Sequence, residues 1–94
     1  MQFSNVLGQK RQHKVILYAL STCAWCRMTK QFLEDNDVEF EYMYVDLCEE
    51  GDKQKIREHI QSKGGPLSYP TIIIDDNILI TGFRKDKLRE ALEL

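Results

Sequence analysis

Val15-Ile16-Leu17-Tyr18-Ala19-Leu20, followed directly by Ser21-Thr22-Cys23-Ala24-Trp25-Cys26-Arg27, is the stretch on which the fold turns. The six-residue apolar run is too short for a stable helix and is apolar on both of its alternating faces, as in a strand covered by helices on each side. Ser21 or Thr22 can then cap a helix from about Cys23 to about Asn36, in which Trp25, Met28, Thr29, Phe32 and Leu33 fall at helical spacing. A strand that feeds a helix through two cysteines places a dithiol where backbone geometry can make it reactive.

Downstream, Phe40 to Val45 alternates, with Phe40, Tyr42 and Tyr44 on one side and Glu41, Met43 and Val45 on the other, so it reads as a second strand. The intervening segment has the length of a crossover helix, which makes the two strands parallel and the unit right-handed. Asp46 to Gly51 reads as a loop, and Asp52 as the cap of a helix that runs to about Lys63, where Gly64-Gly65-Pro66 stops it. Thr71 to Ile74 and Ile78 to Thr81 are short strands joined by Asp75-Asp76-Asn77, turn chemistry for an antiparallel hairpin. Lys85 to Leu92 is the last helix, with Leu88, Ala91 and Leu92 facing inward. The expected fold class is α/β: a mixed four-stranded sheet of order 2-1-3-4 with three helices on its two faces. Residues 1 to 14 are mostly polar and end in Lys10-Arg11-Gln12-His13-Lys14, so they read as an N-terminal arm or one short docked element before a domain spanning 15 to 94.

The 94 residues suffice for one core, and a hydrophobic share of 43% with 30% charged residues is ordinary for a globular protein. Thirteen basic against fifteen acidic residues leave a net charge of -2, which excludes a general attraction to nucleic acid or anionic lipid. No apolar run reaches the roughly 18 residues of a membrane span, and no secretory signal is visible, so the expected location is the cytoplasm. Three cysteines, an odd number, argue for redox, catalytic or metal-binding thiols in a reducing compartment rather than for a disulfide scaffold.

A thiol reacts as its thiolate, and the unpaired N–H groups and positive dipole end at a helix start favour the anion. Cys23 falls in that turn, with Arg27 one turn on as a possible contributor; Cys26 lies deeper, three residues later on nearly the same face. Cys23 is therefore expected to attack a substrate disulfide and Cys26 to resolve the mixed disulfide, at a potential of roughly -180 to -270 mV. The competing reading is metal binding, with Cys48 and His59 completing a set, although their spacing matches no compact zinc module. Cys48 otherwise reads as a plain thiol at a strand end, and His13 and His59 as solvated surface residues. Trp25 is either an exposed contact for a partner or packed over the helix start. Pro70 opens the third strand, beside the end of the first, so Tyr69-Pro70-Thr71 is expected near Cys23; a cis bond there would present the Tyr69 backbone to an extended substrate.

The strand-then-C-x-x-C opening, Tyr69-Pro70-Thr71 and Ile80-Thr81-Gly82-Phe83 together resemble a glutaredoxin over nearly all of residues 14 to 94. Thr81-Gly82-Phe83-Arg84-Lys85-Asp86-Lys87-Leu88 is more similar to the NrdH-redoxins, glutaredoxin-like electron donors of ribonucleotide reductase. The resemblance implies a thioredoxin fold, a cis Pro70, Cys23 as nucleophile and Cys26 as resolving thiol. Trp25, Tyr69, Pro70, Thr71, Gly82, Phe83 and Arg84 are the expected substrate-binding residues. It implies a thiol-disulfide oxidoreductase with no resident cofactor or metal, acting as a monomer on protein disulfides, with ribonucleotide reductase as one target.

Three departures bear on the electron source. Glutaredoxins usually carry a lysine where this chain has Leu20, and small polar or acidic residues where it has Arg84 and Lys85. Both changes weaken a glutathione site, so the expected reductant is a thioredoxin-reductase-like flavoprotein or an equivalent. Ala24-Trp25 replaces the common Pro-Tyr, and relatives with a small residue there include holders of an iron-sulfur cluster between protomers, which keeps a cluster-binding alternative through Cys23.

Overall fold

The computed structural model describes residues 2–94. Its elements are β1 (Ser4–Val6), β2 (Val15–Ala19), α1 (Ala24–Asp35), β3 (Phe40–Tyr44), α2 (Glu50–Ser62), β4 (Thr71–Ile74), β5 (Ile78–Thr81) and α3 (Lys85–Leu92). The sheet order is β1-β3-β2-β4-β5. β2 runs parallel to β3 and antiparallel to β4, and β4 pairs antiparallel with β5. Every residue of β2 is buried, as a central strand with helices on both faces requires. Val15, Leu17 and Ala19 join Phe32 and Leu33 of α1 and Leu88 and Leu92 of α3 in one core layer; Ile16 and Tyr18 join Ile56 and Ile60 of α2 in the other. This is the expected thioredoxin-like arrangement, with three helices.

The sheet has five strands where four were expected, because Ser4–Val6 adds antiparallel to β3. Ser4 and Asn5 are exposed, so no apolar alternation marks the strand; backbone bonds hold it. The docking continues at Lys10, whose N–H donates to Asp37 O and whose carbonyl accepts from Glu39 N–H, both at 3.0 Å. Gly8 is required between them, since a Cβ there would lie 2.6 Å from Asp37 O.

Two helix starts also differ. Cys23, not Ser21 or Thr22, caps α1, and Glu49, not Asp52, holds the cap position of α2, which begins at Glu50 after a 3-10 turn at Val45–Leu47. In α2 the early acids Glu50 and Asp52 sit at the positive end of the helix dipole, which outweighs the low propensity of Gly51. The β4–β5 turn places Asp75 and Asp76 at φ of 53 and 59, a left-handed conformation that aspartate tolerates better than most residues.

Neither histidine is simply solvated, contrary to expectation. The Tyr18 hydroxyl and His59 Nδ1 are 2.7 Å apart, and His59 Nε2 lies 3.3 Å from Asp76, so α2 is tied to β2 and to the hairpin. Their partners are 41 and 17 residues away in sequence, which hides the pairing from any local pattern. His13 Nδ1 is 2.6 Å from Asp75 Oδ2, and its Nε2 is 3.1 Å from Glu93 Oε2. The Asp75 hydrogen bond, then that of Glu93, raises the His13 pKa above its ordinary value, and the same bond lowers that of Asp75. The histidine therefore stabilises the fold fully below its ordinary value of about 6.5, and the contribution disappears as pH rises through the raised folded value. The aspartate's contribution is present above its ordinary value of about 3.9 and is lost as pH falls through its lowered value. His13→Gln is expected to lower the unfolding midpoint more at about pH 5.5 than at about pH 9. Equal losses in denaturant titrations at the two pH values would remove the clasp from the account.

Candidate active site

The site is built at the carboxyl ends of β2 and β3, adjacent because the strands are parallel, where the chain turns from β2 into α1. Cys23 has extended backbone angles, φ -97 and ψ 118, and its Sγ accepts the Cys26 N–H at 3.1 Å. The sulfur thus occupies the place of a capping oxygen, and satisfies one of the N–H groups that a helix start leaves unpaired. An acceptor at this position gains most when it is anionic. Cys23 is partly exposed and Cys26 is buried, so one sulfur meets solvent and the other waits behind it.

Cys26 Sγ accepts the Leu20 N–H at 3.5 Å. Burial pushes the Cys26 thiol up to about 12, with the Cys23 hydrogen bond adding to the rise and the Leu20 amide opposing it. Arg27 is exposed and its amide donates to Cys23 O at 3.1 Å.

The turn before Cys23 is held by a residue that sequence reading missed. Asp46 accepts the Ser21 N–H at 2.8 Å and also the Ser21 hydroxyl. These bonds, the hydroxyl one first, hold the Asp46 carboxyl below the usual range. Asp46 follows β3 as Ser21 follows β2, and Ala19 pairs with Tyr44, so parallel register alone brings the two together. Ser21 therefore serves the loop rather than the helix cap.

Pro70 is buried, its peptide bond to Tyr69 is cis, and the register that pairs Tyr18 with Thr71 sets it opposite the end of β2. Thr71 is buried, with its hydroxyl donating to Ser68 O. Tyr69 is partly buried against both core layers, and burial raises its pKa. Gly82, at φ 86, donates its N–H to Pro70 O at 2.8 Å. Phe83 stands between Trp25 and Phe32, with ring centroids 6.3 and 6.0 Å away. Trp25 is 60% exposed, so of its two readings the structure has the exposed one, with its ring tilted against Phe83. Arg84 is exposed at the N-cap position of α3, where its side chain makes no capping hydrogen bond.

Cys48 is partly buried, donates its thiol to Tyr44 O at 3.4 Å, and has its pKa raised by burial. It lines a concavity of about 500 Å³ with Tyr42, Tyr44 and Leu47 that includes neither Cys23 nor Cys26. His59 faces Tyr18 and Asp76, and among the described residues no group of three or more His, Cys, Asp or Glu side chains is placed to hold a metal. No helix among the described residues is long and apolar enough to cross a membrane.

Comparison with known proteins agrees with this geometry. A family model described as Glutaredoxin matches residues 15–79. An uncharacterized glutaredoxin-like 8.6 kDa protein of the rubredoxin operon of Clostridium pasteurianum is 32% identical over 77 residues, covering 82% of this chain and 95% of its own. The crystal structure of a glutaredoxin from Methanosarcina mazei Go1 superposes with a TM-score of 0.90 at 38% identity, over 100% of this chain and 90% of that one. Methanosarcina acetivorans methanoredoxin gives a TM-score of 0.84 at 40% identity, over 89% of this chain and 88% of that one.

Proposed function

This chain belongs to the glutaredoxin family, and from that premise we propose that it is a dithiol reductase of protein disulfides with Cys23 as nucleophile, Cys26 as resolving thiol and a flavoprotein of the thioredoxin-reductase kind as electron source. The observation that carries the reading is the Cys23 sulfur at the cap of α1, accepting the Cys26 amide at 3.1 Å.

The Cys23 thiolate attacks one sulfur of the substrate disulfide, forms a mixed disulfide and expels the other sulfur as a thiolate. Cys26 then loses its proton and attacks the Cys23 sulfur, which releases the second substrate thiolate and leaves a Cys23–Cys26 disulfide. Two electrons have passed to the substrate, and two from the reductant restore the dithiol. The timing follows from the environment of Cys26: its hydrogen-bonded partner Cys23 helps to hold it protonated, and that influence ends once Cys23 is in a mixed disulfide, while the Leu20 amide remains. Trp25, Tyr69, Gly82, Phe83 and Arg84 form the surface that receives the substrate segment, with Pro70 and Thr71 buried behind it.

Ribonucleotide reductase is a proposed target, by similarity of the Thr81 to Leu88 segment to the NrdH-redoxins, with the protein working as a monomer in the cytoplasm. Leu20 and the Arg84-Lys85 pair speak against glutathione: Leu20 offers no cation to a glutathione carboxylate, and Arg84 and Lys85 reverse the charge where glutaredoxins carry small polar or acidic residues. Thioredoxin reductase with NADPH is expected to support insulin-disulfide reduction at least about tenfold faster than glutathione with its reductase, the effect of some 1.4 kcal/mol of mismatched contact. A preference for glutathione would reverse the assignment of the electron source.

A further inference from the structure

The flank of α1 that faces α3 carries an apolar surface with no intramolecular cover. Trp25 is 60% exposed and Met28, one turn along, is 47% exposed, while Phe83 is partly buried beside the Trp25 ring. Large side chains of this kind, gathered beside a reactive sulfur, are the composition of a binding anchor rather than of ordinary surface.

The rim of that surface is predominantly basic. Residues 84 to 89 read Arg-Lys-Asp-Lys-Leu-Arg, four cations against one acid, in a chain whose net charge is -2. Lys85 Nζ stands 5.7 Å from the Phe83 ring centroid, and Arg89 Cζ stands 5.4 Å from that of Phe32. Aromatic faces therefore hold both cations beside the patch before any partner arrives, which reduces the ordering cost of binding. Arg84, Lys85 and Arg89 are exposed and, among the described residues, take part in no ion pair. Near the β4–β5 hairpin, by contrast, His13 pairs with Asp75 and Glu93, and His59 and Lys63 pair with Asp76.

We propose that Trp25, Met28 and Phe83, rimmed by Arg84, Lys85 and Arg89, form a docking face for an acidic, extended segment of a partner protein that presents an apolar side chain close to its disulfide. This deepens the reductase reading and rests on it for the disulfide alone. Apolar contact with Trp25 and Phe83 supplies the anchor, and the cations select acidic flanks and speed encounter.

Trp25 is the sole tryptophan of the chain, so its fluorescence reports docking directly. The full-length protein is titrated with two synthetic peptides that share a phenylalanine anchor and a non-reducible thioether loop, one flanked by Asp and Glu and the other by Lys and Arg. The acidic peptide is expected to bind at least about tenfold more tightly, with the advantage shrinking as salt screens the rim. In Arg84→Glu/Lys85→Glu the preference is expected to vanish or invert. Equal affinity of the two peptides for the unaltered protein overturns the proposal, as does a preference that survives the charge reversal. An acidic peptide lacking the phenylalanine that binds equally well overturns the apolar half. Turnover of a small neutral disulfide is measured in parallel: acidic-peptide binding without any turnover upholds the docking face and overturns the reductase reading.

Discussion

Cys23→Ser is expected to lower insulin-disulfide reduction by at least about a thousandfold, since a hydroxyl at this position cannot supply the nucleophile. The serine oxygen would still accept the Cys26 N–H, so the cap and the fold are retained and the loss is chemical. Cys26→Ser acts at the other half of the reaction. It leaves Cys23 free to attack but removes the thiol held 2% exposed behind it, so mixed disulfides with substrate accumulate and are visible as a mass increase. The two variants together separate the roles. Full activity in Cys23→Ser, or trapping by Cys23→Ser rather than by Cys26→Ser, would exchange or abolish the assignments.

Leu17→Ala is expected to cost about 2–5 kcal/mol, a large part of the 5–15 kcal/mol typical of a domain. Leu17 is fully buried at the middle of β2, pairs with Tyr42 and Ile72, and belongs to the layer shared with Leu33 and Leu88. Neighbours on two strands and two helices cannot all close on the space left by the removed atoms, so a cavity penalty adds to the lost transfer energy. Leu47→Ala, at a side chain 71% exposed, is the matched control and should stay within about 0.5 kcal/mol. Equal denaturant midpoints for the two variants would contradict the placement of the core. The loss should also reach the site, because β2 ends where the turn to Cys23 begins.

The legibility of this protein follows the range of its interactions. α1 and β3 were readable because burial imposes a period on each, β2 because burial on both faces makes it a short unbroken apolar run, and the β4–β5 hairpin because Asp75-Asp76-Asn77 is local turn chemistry. The dithiol was readable for the same reason: cysteines three residues apart at a strand-to-helix turn are a local constellation. β1 was not readable, since Ser4 and Asn5 are exposed and Val6 alone of its side chains packs on the core, so its pairing with β3 rests mainly on backbone bonds. Asp46 escaped as well, although an acid just past a parallel strand, level with Ser21 past its neighbour, was a usable signal. From sequence alone His13 and His59 read as solvated residues, because a histidine's partners leave no mark beside it in the chain.

By itself the sequence determined the central buried strand, the helix that opens on Cys23, the parallel neighbour and the closing hairpin, hence a thioredoxin-like sheet with a redox dithiol at the end of its central strand. Hydrophobic period and turn propensity are written in adjacent residues, and the backbone has few ways to obey them. Only the tertiary structure decided that Cys23 is its own helix cap, that Asp46 grips the turn through Ser21, that the N-terminal segment adds a fifth strand, and that Trp25 and Phe83 share a surface with Arg84 and Lys85. Each depends on which carbonyl, amide or ring arrives from a distant part of the chain. That is fixed by packing all the elements at once, and no single stretch contains it.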